Sequence, residues 1–119
     1  MTSQGSASGR FIRAVQRRHI RAAEIALREM EDVSLSNALA LVILFGLEDD
    51  PRFERAAQRW LTRARREAAL NHRQTELLRA ALGALQSSFD KLAVNLLVEA
   101  CRELRWPWPT VPTDGVRSV

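Results

Sequence analysis

The chain has one cysteine, Cys101, so no disulfide can form within it. That residue falls on an apolar helical stripe, where a small hydrophobe belongs in the core. Glycine and proline are scarce, five and four in 119 residues. Between Phe11 and Trp106 the only breakers are Gly46, Pro51 and Gly83. So few interruptions argue for helices throughout. No apolar run approaches the roughly 20 residues that a membrane span needs; the longest, Ala38 to Phe45, is far too short. Met1 to Gly9 is rich in serine and glycine and lacks the apolar centre of a secretory signal, so a cytoplasmic protein is expected. Phosphate-binding loops, G-x-G-x-x-G and G-x-S-x-G are all missing. Two histidines and one cysteine, with no ligand pair at helical spacing, do not make a zinc site. No catalytic residue, metal ligand or cofactor is therefore expected.

Lysine is nearly missing too, and its place is taken by arginine, which supplies 17 of the 18 cationic side chains. The net charge is +4, and a basic chain invites acidic or nucleic-acid partners. Arginine with abundant alanine is also what a high-GC genome produces, so the preference over lysine is not wholly a matter of guanidinium chemistry.

Alanine, leucine, arginine and glutamate dominate the middle of the chain, all strong helix formers. The pattern predicts an all-α fold: a five-helix bundle of antiparallel helical hairpins over residues 10–106. A disordered segment (1–9) precedes it and a flexible tail (107–119) follows. The first helix is expected from Arg10 to Glu31, with Phe11, Ile12, Val15, Ala22, Ala23, Ala26, Leu27 and Met30 on its apolar face. Arg10, Arg13, Arg17, Arg21 and Arg28 lie opposite, and Glu24 stands at the favourable i,i+4 distance before Arg28. His19 falls on the apolar face and reads as a core or boundary residue satisfied by a backbone carbonyl.

Asp32 or Ser34 should cap the second helix, which is apolar on every side from Leu35 to Leu47 and so belongs at the centre of the core. Asp50 followed by Pro51 reads as the start of the third helix. Two stripes run along that helix. Phe53, Ala56, Ala57, Trp60, Leu61, Ala64 and Ala68 are apolar; Arg52, Arg55, Arg59, Arg63 and Arg66 are basic. Asn71 with Gln74 has the spacing of a capping box for the fourth helix, which buries Leu77, Leu78, Ala81, Leu82 and Leu85. Ser88 or Asp90 should cap the fifth, with Phe89, Leu92, Ala93, Leu96, Leu97, Ala100, Cys101 and Leu104 inward. Trp106-Pro107-Trp108-Pro109 ends the regular structure, with the tryptophans free to fold back. The acids Glu48, Asp49, Asp50 and Glu54 lack the alternation and glycine of a calcium loop, and helix capping accounts for them.

The stretch from Asn37 through Asp50-Pro51-Arg52-Phe53-Glu54-Arg55-Ala56-Ala57-Gln58-Arg59-Trp60 resembles small all-helical proteins of high-GC actinobacteria. The likeness covers the middle third of the chain. It implies a helical fold and an actinobacterial origin, and no chemistry.

The arginine stripe carries what functional content there is. From Arg52 to Ala69 six arginines face two glutamates. Neighbouring guanidinia at i,i+3 and i,i+4 repel by about 0.2–0.5 kcal/mol per pair. The sequence predicts a non-catalytic interaction or adaptor module. Its partner-binding residues are Arg52, Arg55, Arg59, Arg63 and Arg66, with Arg13, Arg17 and Arg21 of the first helix. They would meet an acidic protein or a second copy of the chain. The alternative is a small DNA-binding or regulatory protein touching phosphates through the first and third helices. No set of side chains suited to reading bases accompanies the ridge.

Overall fold

The computed structural model describes residues 6–87 and 91–106, and the regular structure there is wholly helical. Six helices follow one another: α1 (Ala7–Gln16), α2 (Ile20–Arg28), α3 (Leu35–Leu47), α4 (Phe53–Glu67), α5 (His72–Ser87) and α6 (Lys91–Glu103). This corrects the five-helix expectation, because the helix expected over residues 10–31 is two helices. Gln16-Arg17-Arg18-His19 places four polar residues in a row, so no apolar side chain holds a continued helix to the core. Arg18 turns into the left-handed region at φ 59°. The His19 N–H then reaches the Ala14 carbonyl at 2.9 Å and the Arg18 N–H that of Val15 at 3.0 Å, the paired bonds of a Schellman ending. His19 itself caps α2: its Nδ1 accepts the Ala22 N–H at 3.1 Å. It is exposed and not part of the core face, as the unbroken-helix pattern had placed it.

The break folds α2 back on α1. Arg10, near the start of α1, holds Glu29 just beyond α2 through two bonds of 3.0 and 2.9 Å. Phe11, Ala14 and Val15 thereby meet Ala23 and Ala26 in a small core of their own, closed by Ala40 and Leu44 of α3. α1 begins at Ala7, capped by the Ser6 hydroxyl, so residues 7–9 are helical and not part of an irregular leader. The expectations for residues 1–5, for the caps Ser88 and Asp90, for Phe89 and for the tail from Pro107, Trp108 included, lie outside the described residues.

α3 is capped by Ser34, whose Oγ accepts the Asn37 N–H at 3.0 Å. Its all-round apolarity has a plain cause: it serves two cores. Ala40 and Leu44 face the α1–α2 pair, while Leu39, Val42, Ile43 and Phe45 face α4, α5 and α6. Gly46 near its end lies under the Phe53 ring, which would stand 3.2 Å from any Cβ there. In the larger core Trp60 is 3% exposed. Its indole N–H donates to the Leu35 carbonyl at 2.9 Å, and Trp106 meets it edge-on with centroids 5.8 Å apart. The capping box forms as read: the Asn71 N–H reaches Gln74 Oε1 at 3.0 Å and the Gln74 N–H reaches Asn71 Oδ1 at 2.8 Å. Arg73 and Glu103, 2.6 Å apart, bring the start of α5 to the end of α6.

Among the described residues four helix ends use a left-handed residue, and none is glycine: Arg18, Asp49, Ala69 and Arg105, with φ between 50° and 60°. Arg18 and Asp49 have polar side chains nearby; Ala69 has only the cost of its Cβ, about 1–2 kcal/mol. Glycine removes that cost but adds back about 0.4–1 kcal/mol of unfolded-chain entropy. Ala69→Gly is therefore expected to stabilise the fold by about 0.5–1 kcal/mol, read as a rise of a few degrees in the thermal midpoint. An unchanged or lower midpoint would show that residue 69 is not left-handed in solution.

Candidate binding surface

The arginine stripe of α4 divides into two kinds of residue. Arg52 and Arg63 flank the buried face and are bound inside the chain. The Asp50 side chain accepts from Arg52 three times: from the backbone N–H at 2.9 Å, from Nε at 3.0 Å and from Nη2 at 2.9 Å. These bonds hold the Asp50 carboxyl below the usual range, the Arg52 side chain being the main cause. Asp50 thus caps the Pro51–Arg52 turn, and α4 proper starts two residues later than the Asp-Pro signal suggests. Arg52 also reaches Glu24 of α2 at 3.0 Å and lies over the Phe45 ring, 4.6 Å from its centroid. Glu24 therefore serves as a link between helices, in place of the Glu24–Arg28 pair expected within one. Arg63 donates to Glu67 at 2.8 Å and to the Val33 carbonyl, tying α4 to the start of α3 and lowering the pKa of Glu67.

Arg55, Arg59 and Arg66 stand on the outer side and are exposed. Arg55 and Arg59 have no ion pair among the described residues. Arg66 lends a weaker field to Glu67. From Arg55 to Arg66, eleven steps along the helix, the ridge is about 16 Å long.

The fold-back of α2 gives this ridge a continuation that a straight first helix lacks. Between α1 and α2 lies a depression of about 390 Å³ lined by Arg10, Arg13, Ala14, Arg17, His19, Ala22, Ile25 and Ala26. A second, of about 260 Å³, is lined by Arg21, Glu24, Ile25, Arg28 and Arg52. A third, of about 470 Å³, is lined by Pro51, Arg52, Glu54, Arg55 and Gln58. Ile25 belongs to the first two and Arg52 to the last two. The three form one belt of guanidinia crossing α1, α2 and α4. Of the carboxylates in or beside it, Glu24 is engaged by Arg52 and Glu29 by Arg10, the chief cause of its lowered pKa, while Glu54 lines the third depression with no ion pair among the described residues. Arg17, Arg21 and Arg28 are exposed.

All eight arginines read from the sequence are accounted for. Six lie along the belt or its extension: Arg13, Arg17, Arg21, Arg55, Arg59 and Arg66. Arg52 joins its two halves, and Arg63 turns inward. Two further contributors, Arg28 and Ile25, lie outside the partner-binding set that the sequence predicts. An isoleucine outside the apolar face of its helix was the available signal. Ile25 is 44% exposed, and Ile12, at 38%, is the other exposed large hydrophobic among the described residues.

Arg18 reaches Glu48 at 2.8 Å and the Leu47 carbonyl at 3.3 Å, fastening the α1–α2 turn to the end of α3. His72 is exposed at the first turn of α5. Cys101 is buried, which pushes its thiol pKa up to about 11. Among the described residues no cluster of three His, Cys, Asp or Glu side chains could hold a metal ion, and no helix is long and apolar enough to cross a membrane. No family model, curated protein or solved structure matches the chain.

Proposed function

We propose that the protein is a non-catalytic interaction module whose belt of arginines docks an acidic partner protein. The observation that carries this reading is Ile25, nearly half exposed and shared by the two depressions that the arginines of α1 and α2 surround. An apolar anchor ringed by charges is the plan of a protein interface, in which the anchor supplies affinity and the rim supplies orientation. A phosphate backbone gains nothing from an isoleucine. Among the described residues the aromatics that could stack on bases are occupied inside the fold: Phe11, Phe45, Phe53 and Trp60 are buried, and Trp106 packs on Trp60. Catalysis is disfavoured by the chemistry of the groups themselves. The Cys101 thiol is protonated at neutral pH, and the His19 ring is engaged as a helix cap.

The test is a titration at about 150 mM salt, where the Debye length has shrunk to about 8 Å and diffuse attraction is weak. Labelled poly-L-glutamate is expected to bind and a generic 20-base-pair duplex is not. Duplex binding that survives this salt without poly-L-glutamate binding would support the phosphate-contacting alternative instead.

A further inference from the structure

We propose that the face between α1 and α2 seats one amphipathic acidic helix of the partner, with an apolar side chain of that helix on Ile25. This deepens the docking reading above and rests on it.

Two rows of guanidinia border this face. Arg13 of α1 and Arg17 at its C-cap line the α1–α2 depression, and Arg21 and Arg28 of α2 line the adjoining depression, which shares Ile25. Arg21 and Arg28 are seven residues apart, about 10 Å along the axis. That is two helical turns, the distance between carboxylates at positions i and i+7 of a docked helix. Ile25, common to both depressions, therefore has guanidinia on either side of it. Between them the floor is made of alanine side chains and Ile25, so nothing bulky keeps the axis of an incoming helix from the 8–10 Å of ordinary helix packing. No unengaged carboxylate lines the α1–α2 depression: Glu29, at its edge, is held by Arg10 through two bonds. An arriving acidic helix therefore meets cations on both sides and an apolar contact in the middle. This is the helix-in-groove mode of recognition.

The other occupants fit less well. A second copy of the chain, docked face to face, would set the same arginines against each other. A nucleic acid would use the rows but leave Ile25 uncovered.

The experiment is fluorescence anisotropy on the full chain with two labelled 18-residue peptides of equal composition. One places leucines at i, i+3, i+4 and i+7 with glutamates on both flanks. The other is scrambled so that no face is apolar. A 20-base-pair duplex is the competitor. The amphipathic peptide is expected to bind at least tenfold more tightly than the scrambled one. Ile25→Ser should abolish that preference, leave the scrambled peptide's affinity unchanged and leave the far-ultraviolet circular dichroism unchanged, because the side chain is already half in water. Equal affinity for the two peptides, or a preference that survives Ile25→Ser, would overturn the helix seat while leaving acidic docking in place. Failure of both peptides to bind, with binding of the duplex, would overturn the docking reading and the seat together.

Discussion

Trp60→Ala is expected to destabilise the protein by about 3–5 kcal/mol, the range for removing a large aromatic from a core. The ring is 3% exposed and lies in the larger core between α3 and α4. Its removal loses three things together: the packed volume, the bond from the indole N–H to the Leu35 carbonyl at 2.9 Å, and the edge-on surface that Trp106 covers. A domain of this size has about 5–15 kcal/mol of stability in all, so the loss takes a large share. It should appear in chemical denaturation as an early midpoint with an unchanged slope. Trp60→Phe separates the contributions: it keeps an aromatic ring and loses the hydrogen bond, and should fall well short of the alanine variant. A wild-type midpoint for Trp60→Ala would mean that the indole is not packed as described.

Leu44→Ala is the second large effect, at about 2–5 kcal/mol. The smaller core has seven buried residues, Phe11, Ala14, Val15, Ala23, Ala26, Ala40 and Leu44. Four of them are alanines, so Phe11, Val15 and Leu44 supply nearly all of its bulk. Leu44 is 0% exposed and, with the partly buried Leu41 beside it, is the large side chain by which α3 holds α1 and α2. Its truncation leaves a cavity that alanines cannot fill. Hydrogen exchange should show the loss first in residues 7–28, with α5 and α6 still protected, because those helices pack in the other core. Uniform loss of protection along the chain would contradict the division into two cores.

Much of the centre was legible in the residues themselves. Ser34, Asn71 and Gln74 announce helix starts by hydrogen-bonding chemistry that needs no tertiary context. The Phe53–Trp60–Ala64 stripe marks the buried face of α4, and the unbroken apolarity of α3 marks its central place. The division of the first helix was not legible by the signal relied on, glycine. Arg18, Asp49, Ala69 and Arg105 all end helices in a conformation that glycine usually takes. A scarcity of glycine therefore does not mean a scarcity of turns here. The four consecutive polar residues from Gln16 to His19 mark the break instead.

The candidate surface depended on that same turn. With α1 and α2 read as one rod, Arg13, Arg17 and Arg21 fall along a single stripe, separate from α4. Folded back, Arg13 and Arg17 border one depression and Arg21 the one beside it, and Arg52 bonded to Glu24 carries the belt across to Arg55. Which arginines serve the fold was equally hidden. Arg52 and Arg63 occupy the same helical stripe as Arg55 and Arg59, and only the positions of Glu24, Asp50 and the Val33 carbonyl distinguish them.

The central claim is that arginines from three helices act as one surface. It is tested most directly by measuring the affinity of one long acidic chain, poly-L-glutamate, for two paired reversals. One variant carries Arg21→Glu and Arg28→Glu on α2, the other Arg55→Glu and Arg59→Glu on α4. All four side chains are exposed, so both variants should keep wild-type helicity. Each reversal at an exposed site changes the interaction by about 0.5–1 kcal/mol, so each pair should weaken binding by about tenfold at 1.4 kcal/mol per decade. A tenfold loss in both variants is the result expected of a single belt. An affinity that falls for one pair and stays at the wild-type value for the other would contradict it.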